Sequence, residues 1–192
     1  MSNFSYSAAL ILFGLSGMLQ AQYGFSIRFG GRYDDVRMCV ATPPGVKGGI
    51  AADVSATADY PVGRNAFIHA DLPVMRPILF GAAFRMLQFE PTAGIRWSGN
   101  GWETGPVAGV SLHYGPDYTS ARTGSGRKES FFAAGPIFGA YGGVILQRHG
   151  IRIGLSPYVT PLFSVKDPQH HQGIVIGGLA DVTFQFQREH RD

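Results

Sequence analysis

The stretch from Tyr23 to Tyr33, YGFSIRFGGRY, puts an apolar residue or glycine at every odd position: Tyr23, Phe25, Ile27, Phe29, Gly31 and Tyr33. The even positions between them include Ser26, Arg28 and Arg32. A period of two is what a β-strand shows when its faces meet different surroundings, because successive side chains point to opposite sides. The pattern recurs from Lys47 to Tyr60, where Ile50, Ala52, Val54, Ala56, Ala58 and Tyr60 oppose Asp53, Ser55, Thr57 and Asp59. Ala66 to Leu72 alternates Ile68, Ala70 and Leu72 with His69 and Asp71.

The segment from Ile78 to Trp97 is long for one strand and apolar on both faces in its first half. Its second half sets Leu87, Phe89, Pro91, Ala93, Ile95 and Trp97 against Gln88, Glu90, Thr92 and Arg96. Trp102 to Tyr114 sets Trp102, Ala108, Val110, Leu112 and Tyr114 against Glu103, Ser111 and His113. Ser130 to Leu146 is Gly-rich and the least regular, Ile151 to Ser164 alternates again, and a last strand runs from Gly173 to Gln187. Ser98-Gly99-Asn100-Gly101 is a tight-turn signal, and Pro61 to Asn65 reads as another short turn.

These make eight strands, with short links after the second, fourth and sixth and longer ones after the first, fifth and seventh. The link after the third depends on where Ile78 to Met86 belongs. An even number of strands with alternating link lengths predicts an all-β, eight-stranded antiparallel up-and-down transmembrane β-barrel. No segment of the mature chain has a helical period. Outside the N-terminus no run is apolar enough for a spanning helix, so a membrane protein of this sequence must cross as a closed sheet.

Ala8 to Met18 is an apolar run of signal-peptide length, followed by Leu19-Gln20-Ala21. Residues 1–21 are therefore expected to be a cleaved signal peptide, 22–187 the barrel and 188–192 a short polar tail. The chain has 192 residues, the size of one domain, and 16 Lys plus Arg against 13 Asp plus Glu give a net charge of +3. That excess is scattered and does not form the clustered basic face that nucleic acid requires. Cys39 is the single cysteine, which excludes an intramolecular disulfide.

The polar faces collect Arg28, Arg32, Asp53, Asp59, Asp71, Arg85, Glu90, Arg96, Glu103, Arg152 and Asp181, which are expected to pair inside a narrow lumen. A soluble ligand-binding barrel in the periplasm would place the same charges in water outside and the apolar face within. The aromatic positions favour the membrane arrangement. Tyr23, Tyr60, Trp97 and Trp102 sit on apolar faces near the strand starts and the short turns, and Tyr33 and Tyr114 flank long links. Rings at both strand ends with aliphatic residues between them match two interfacial girdles around a lipid belt.

In this pattern the chain resembles the small eight-stranded outer-membrane barrels of the OmpA/OmpX type, over about Tyr23 to Gln187. Val182, Phe184 and Phe186 at alternate positions of the last strand look like that class's C-terminal assembly signal, followed here by Gln187 to Asp192. The resemblance implies the outer membrane of a Gram-negative bacterium, periplasmic termini and short turns, and long links facing outward. It also implies outer-membrane lipid and the barrel assembly machinery as partners.

Chemistry is sparse. Ser111 and His113 share one polar face, and Glu103 or the neighbouring-strand Glu90 could orient the histidine as a Ser/His/Glu set. Outer-membrane lipid A deacylases use such a trio with the histidine first and facing the membrane. Here the order is reversed and the face is inward, so a lipid A-modifying hydrolase stands only as the alternative to a non-enzymatic structural or surface-binding role. The adjacent His170 and His171 beside Asp167 are expected in a solvated loop, because neighbouring histidines of an extended segment point to opposite sides and rarely chelate one metal ion together. Arg122, Arg127 and Lys128 suit lipopolysaccharide phosphates if their link is extracellular. No motif calls for a cofactor.

Overall fold

The computed structural model describes residues 21–34, 49–75, 87–116, 130–146, 150–164 and 172–186. Residues 1–20 of the expected signal peptide, Cys39, Ile78 to Met86 with Arg85, the basic residues 122, 127 and 128, Asp167, His170, His171 and the tail lie outside them. The strands are β1 (Gln22–Asp34), β2 (Gly49–Gly63), β3 (Ala66–Met75), β4 (Leu87–Phe89), β5 (Thr92–Gly99), β6 (Trp102–Pro116), β7 (Ser130–Leu146), β8 (Ile151–Ser164) and β9 (Gln172–Gln185). Among the described residues there is no helix.

Every pairing is antiparallel, and both β4 and β5 pair with β6. They are one wall position interrupted at Glu90 and Pro91, so the nine segments form eight staves. Each stave pairs with its neighbours in sequence, and β1 closes on β9 from Gly24 opposite Gln185 to Asp34 opposite Val175. The fold is a closed, eight-stranded, antiparallel up-and-down barrel. Closure leaves no edge strand and satisfies the wall's backbone groups internally.

The short turns are tighter than the sequence suggests. Strand β2 runs on to Gly63 and β3 to Met75, leaving only Arg64 and Asn65 between β2 and β3. Pro61 and Pro73 read as breaks, but both fall at shifts in the β2–β3 register, between Pro61 and Gly63 and beside Val54 and Ser55. Bulges are the places within a sheet where a missing N–H is tolerated. Between β5 and β6 the turn is Asn100-Gly101, with Gly101 at φ +82°, a backbone state open to glycine. Residues at the short turns are tied to neighbouring strands: Ser98 N of β5 donates to Asn65 O, Ile145 N of β7 to Gly101 O, and Gln185 N of β9 to Gly150 O.

Polarity is inside out relative to a soluble protein. Ile27, Phe29, Leu72, Val110, Phe138, Leu155 and Ile176 point away from the barrel and are exposed on its outer face. No Asp, Glu, Lys, Arg or His occupies an outward position in the described strands, whereas Arg28, Asp53, Asp59, His69, Asp71, Arg96, Glu103, Arg152 and Asp181 are buried within. This is the polarity of the transmembrane class of barrel, and the reverse of what a soluble ligand-binding barrel needs.

The buried apolar residues concentrate on three neighbouring staves: Ala133, Ile137 and Tyr141 on β7, Leu162 on β8, Val175 and Leu179 on β9. The Tyr141 ring lies over Gly154 of β8, where a Cβ would collide with its ring atoms. Gly154→Ala should therefore lower stability to urea unfolding by about 1–3 kcal/mol through overpacking. Gly178→Ala is the control: a Cβ there meets nothing within 4 Å, and the change should stay within about 0.5 kcal/mol.

Candidate functional site

Alternation aims the charged side chains inward, and strand register decides which of them meet. Arg28 of β1 lies directly opposite Asp53 of β2 and Asp181 of β9. Its Nε donates to Asp53 Oδ1 at 2.6 Å and its Nη2 to Oδ2 at 3.2 Å, the two-pronged geometry that a planar guanidinium offers a carboxylate. Ser55 also donates to Asp53 Oδ1, at 3.3 Å, and Thr183 donates to Asp181 Oδ1 at 3.1 Å.

Nearer the short turns, six side chains form a closed circuit of alternating charge. Asp71 lies 3.9 Å from Arg96, Arg96 lies 3.6 Å from Glu103, and Glu103 Oε1 lies 3.0 Å from Arg152 Nε. Arg152 Nη1 then reaches Asp59 Oδ2 at 2.7 Å, and His69 links Asp59 back to Asp71 through its two ring nitrogens at 2.5 and 3.0 Å. The circuit draws on β2, β3, β5, β6 and β8, so it crosses the lumen. Arg28 joins it through a 3.9 Å approach to Asp71, and Gln185 hydrogen-bonds Asp59 from β9. The Arg96 guanidinium also lies over the Tyr141 ring, 3.6 Å from its centroid, and Arg152 lies 5.0 Å from that of Phe67.

A second cluster contains Glu90, Ser111 and His113. Ser111 Oγ donates to Glu90 Oε1 at 2.7 Å, and His113 Nε2 lies 2.6 Å from Ser111 Oγ and 3.0 Å from Glu90 Oε1. The histidine partner is Glu90; Glu103 is committed to Arg96 and Arg152. The geometry differs from a nucleophile relay, in which the carboxylate holds the ring nitrogen remote from the serine. Here serine and carboxylate share one nitrogen, and the serine proton goes to the carboxylate. Ser111 and His113 are both 0% exposed, so no bulk substrate reaches them.

His69, Phe67 and Tyr141 were not among the candidate residues read from sequence. His69 alternates correctly in its strand, but its place between two carboxylates follows from pairing with β2, which puts it opposite Asp59. Arg32 is buried in the lumen on the long-link side of Arg28. The aromatic candidates are on the outer face: Tyr23, Tyr33, Trp97, Trp102 and Tyr114 are each close to half exposed, and Tyr60 is half-buried.

The architecture and its inverted polarity define a small eight-stranded barrel with a charged interior. Solved structures share this fold, two of them of one protein. The crystal structure of Ail, the attachment invasion locus protein of Yersinia pestis, matches with a TM-score of 0.55 at 13% identity. Ail in complex with the heparin analogue sucrose octasulfate matches with a TM-score of 0.53 at 12% identity. Each match covers 87% of this chain and 99% of the Ail chain, and at such identities the likeness is one of fold. No protein-family model and no curated protein matches the sequence.

Arg28→Met takes the two-pronged guanidinium from the Asp53 carboxylate, whose side chain is fully buried. Urea unfolding should show a loss of about 3–5 kcal/mol, because a buried carboxylate loses its closest counter-ion. Adding Asp53→Leu should recover much of that loss; a double variant as unstable as the single one would mean that the pair does not set the cost.

Proposed function

We propose that the chain is an integral outer-membrane β-barrel of a Gram-negative bacterium, exported by the segment 1–21, with its lumen plugged by the ion-pair circuit. Its role is non-enzymatic, either structural or surface-binding through the long links. The observation that carries this reading is the outer face: a continuous apolar surface without a charged residue in the described strands. Water would not tolerate a patch of that extent on a monomer, whereas hydrocarbon requires one. The aromatic side chains near the strand ends fit the two headgroup levels, where an apolar ring with a polar tip is favoured.

The plug follows from dimensions. Eight staves enclose a space just wide enough for side chains, and here it is crossed by paired arginines and carboxylates. Binding is then left to the long links, which share one end of the barrel. Arg122, Arg127 and Lys128 lie in the link after β6 and suit the phosphates of lipopolysaccharide. The fold's occurrence in an attachment protein, one of whose structures holds a sulfated heparin analogue, supports an anionic partner for such links. The outward aromatics of the closing strand support delivery by the barrel assembly machinery: Phe184 stacks on Phe25 at 4.9 Å, and Phe186 lies beside them.

Membrane fractionation with a heat-modifiability gel tests this reading. The protein should extract only with detergent, migrate faster unheated than boiled, and give no conductance steps in a planar bilayer. Recovery in the soluble periplasmic fraction would overturn it, and steady conductance would overturn the plug. Ser111→Ala should leave the lipid A profile of expressing cells unchanged. Loss of a lipid A modification in that variant would establish the hydrolase alternative instead.

A further inference from the structure

The chain has two tryptophans, and both stand on the β5–β6 hairpin, pointing outward close to its turn. Trp102 lies opposite Gly99, where a Cβ would come 2.7 Å from the indole Nε1 and Cε2. The ring therefore rests on that glycine, with its nitrogen edge at the level of the turn. Trp97 lies opposite Ala66, the first residue of β3. Ser98 N donates to Asn65 O, so the turn Arg64-Asn65 sits against the end of β5 on the side away from Trp102. Arg64 is exposed, and among the described side chains it is the one charged group outside the lumen.

Polarity then falls in layers from this end inward. Beyond Arg64 and the two indoles, Tyr60, Ile68 and Ile95 share a row about 7 Å further along the strands. Past them Ala58, Ala70, Ala93 and Ala108 form a row across four neighbouring staves, which leaves a shallow apolar recess. A guanidinium is a planar fork of N–H donors that matches phosphate oxygens, and an indole adds a donor from a ring that favours the boundary between hydrocarbon and water. No described carboxylate faces outward at this end, so nothing there balances the ammonium group of a zwitterionic headgroup. The strand ends at the β7–β8 turn, Leu146 opposite Ile151, are aliphatic and offer no such donors.

We infer that the β2–β3 and β5–β6 turns together form a binding site for an anionic glycerophospholipid. Arg64 and the indole N–H groups of Trp97 and Trp102 hold its phosphate, and its acyl chains lie over the alanine row. The site rests on the membrane reading of the outer face and adds to it a lipid class and a place. One basic group at a membrane surface favours anionic over zwitterionic lipid by about fivefold, an effect that salt screens.

Because both tryptophans stand at the site, the fluorescence of the refolded full chain in mixed bilayers reads it directly. A lipid brominated high in its acyl chains quenches an indole that it touches. Wild type should be quenched about fivefold more effectively by brominated phosphatidylglycerol than by brominated phosphatidylcholine at low salt. Arg64→Gln, a change in an exposed turn, should be quenched equally by both and still migrate faster unheated than boiled. Equal quenching of wild type by the two lipids, or a preference that survives Arg64→Gln, overturns the site and leaves the barrel in its membrane. Absence of quenching by either lipid overturns the membrane reading and the site with it.

Discussion

The wall of this protein depends on every strand having two hydrogen-bonded neighbours. In a hydrocarbon setting an unpaired N–H or C=O costs several kcal/mol, so the sheet must end where it began, and β9 meets β1 along most of its length. Once eight staves close, the interior cross-section is fixed and side chains must fill it. The polar faces that alternation sends inward cannot be solvated there in bulk. They pair with each other, and the charge circuit is a consequence of closure before it is anything else.

The interior is not uniform. Inward positions of β7 are glycine, alanine, isoleucine and tyrosine, and those of β8 and β9 include leucine and valine beside glycine. This slimmer side accommodates the long stems of Arg28 and Arg96 reaching across from β1 and β5. The Tyr141 ring gives the Arg96 guanidinium a flat surface, and arginine stems pack well against apolar neighbours. The glycines and alanine of β7 and the long stem of Arg96 are complementary requirements of one narrow space.

This division explains what could be read from the chain. Strands β1, β2, β5 and β6 were legible because polar inward residues contrast with apolar outward ones. Strand β7 was placed between its observed ends, Ser130 and Leu146, but its faces were not legible, since Ala133, Ile137 and Tyr141 point inward and Ala134, Phe138 and Val144 outward, which leaves no contrast to detect. Prolines read as strand ends were absorbed by bulges at Pro61 and Pro73. Membership of the polar face follows from alternation alone, but partnership depends on register between strands far apart in sequence. Glu103 and Ser111 share a face, yet eight positions at about 3.4 Å each place them roughly 27 Å apart, while Asp59 and Arg152 meet across the lumen.

The circuit also bears on how the molecule acquires its shape. Its members come from β2, β3, β5, β6 and β8, and no single hairpin holds both sides of every contact. A sheet built from the N-terminal end would have Asp59, His69, Asp71, Arg96 and Glu103 in place, with Glu103 and Asp59 still awaiting Arg152. Only when β8 swings round to supply that arginine do both carboxylates gain their shared counter-ion. The charge pattern thus discriminates a completed cylinder from an open ribbon.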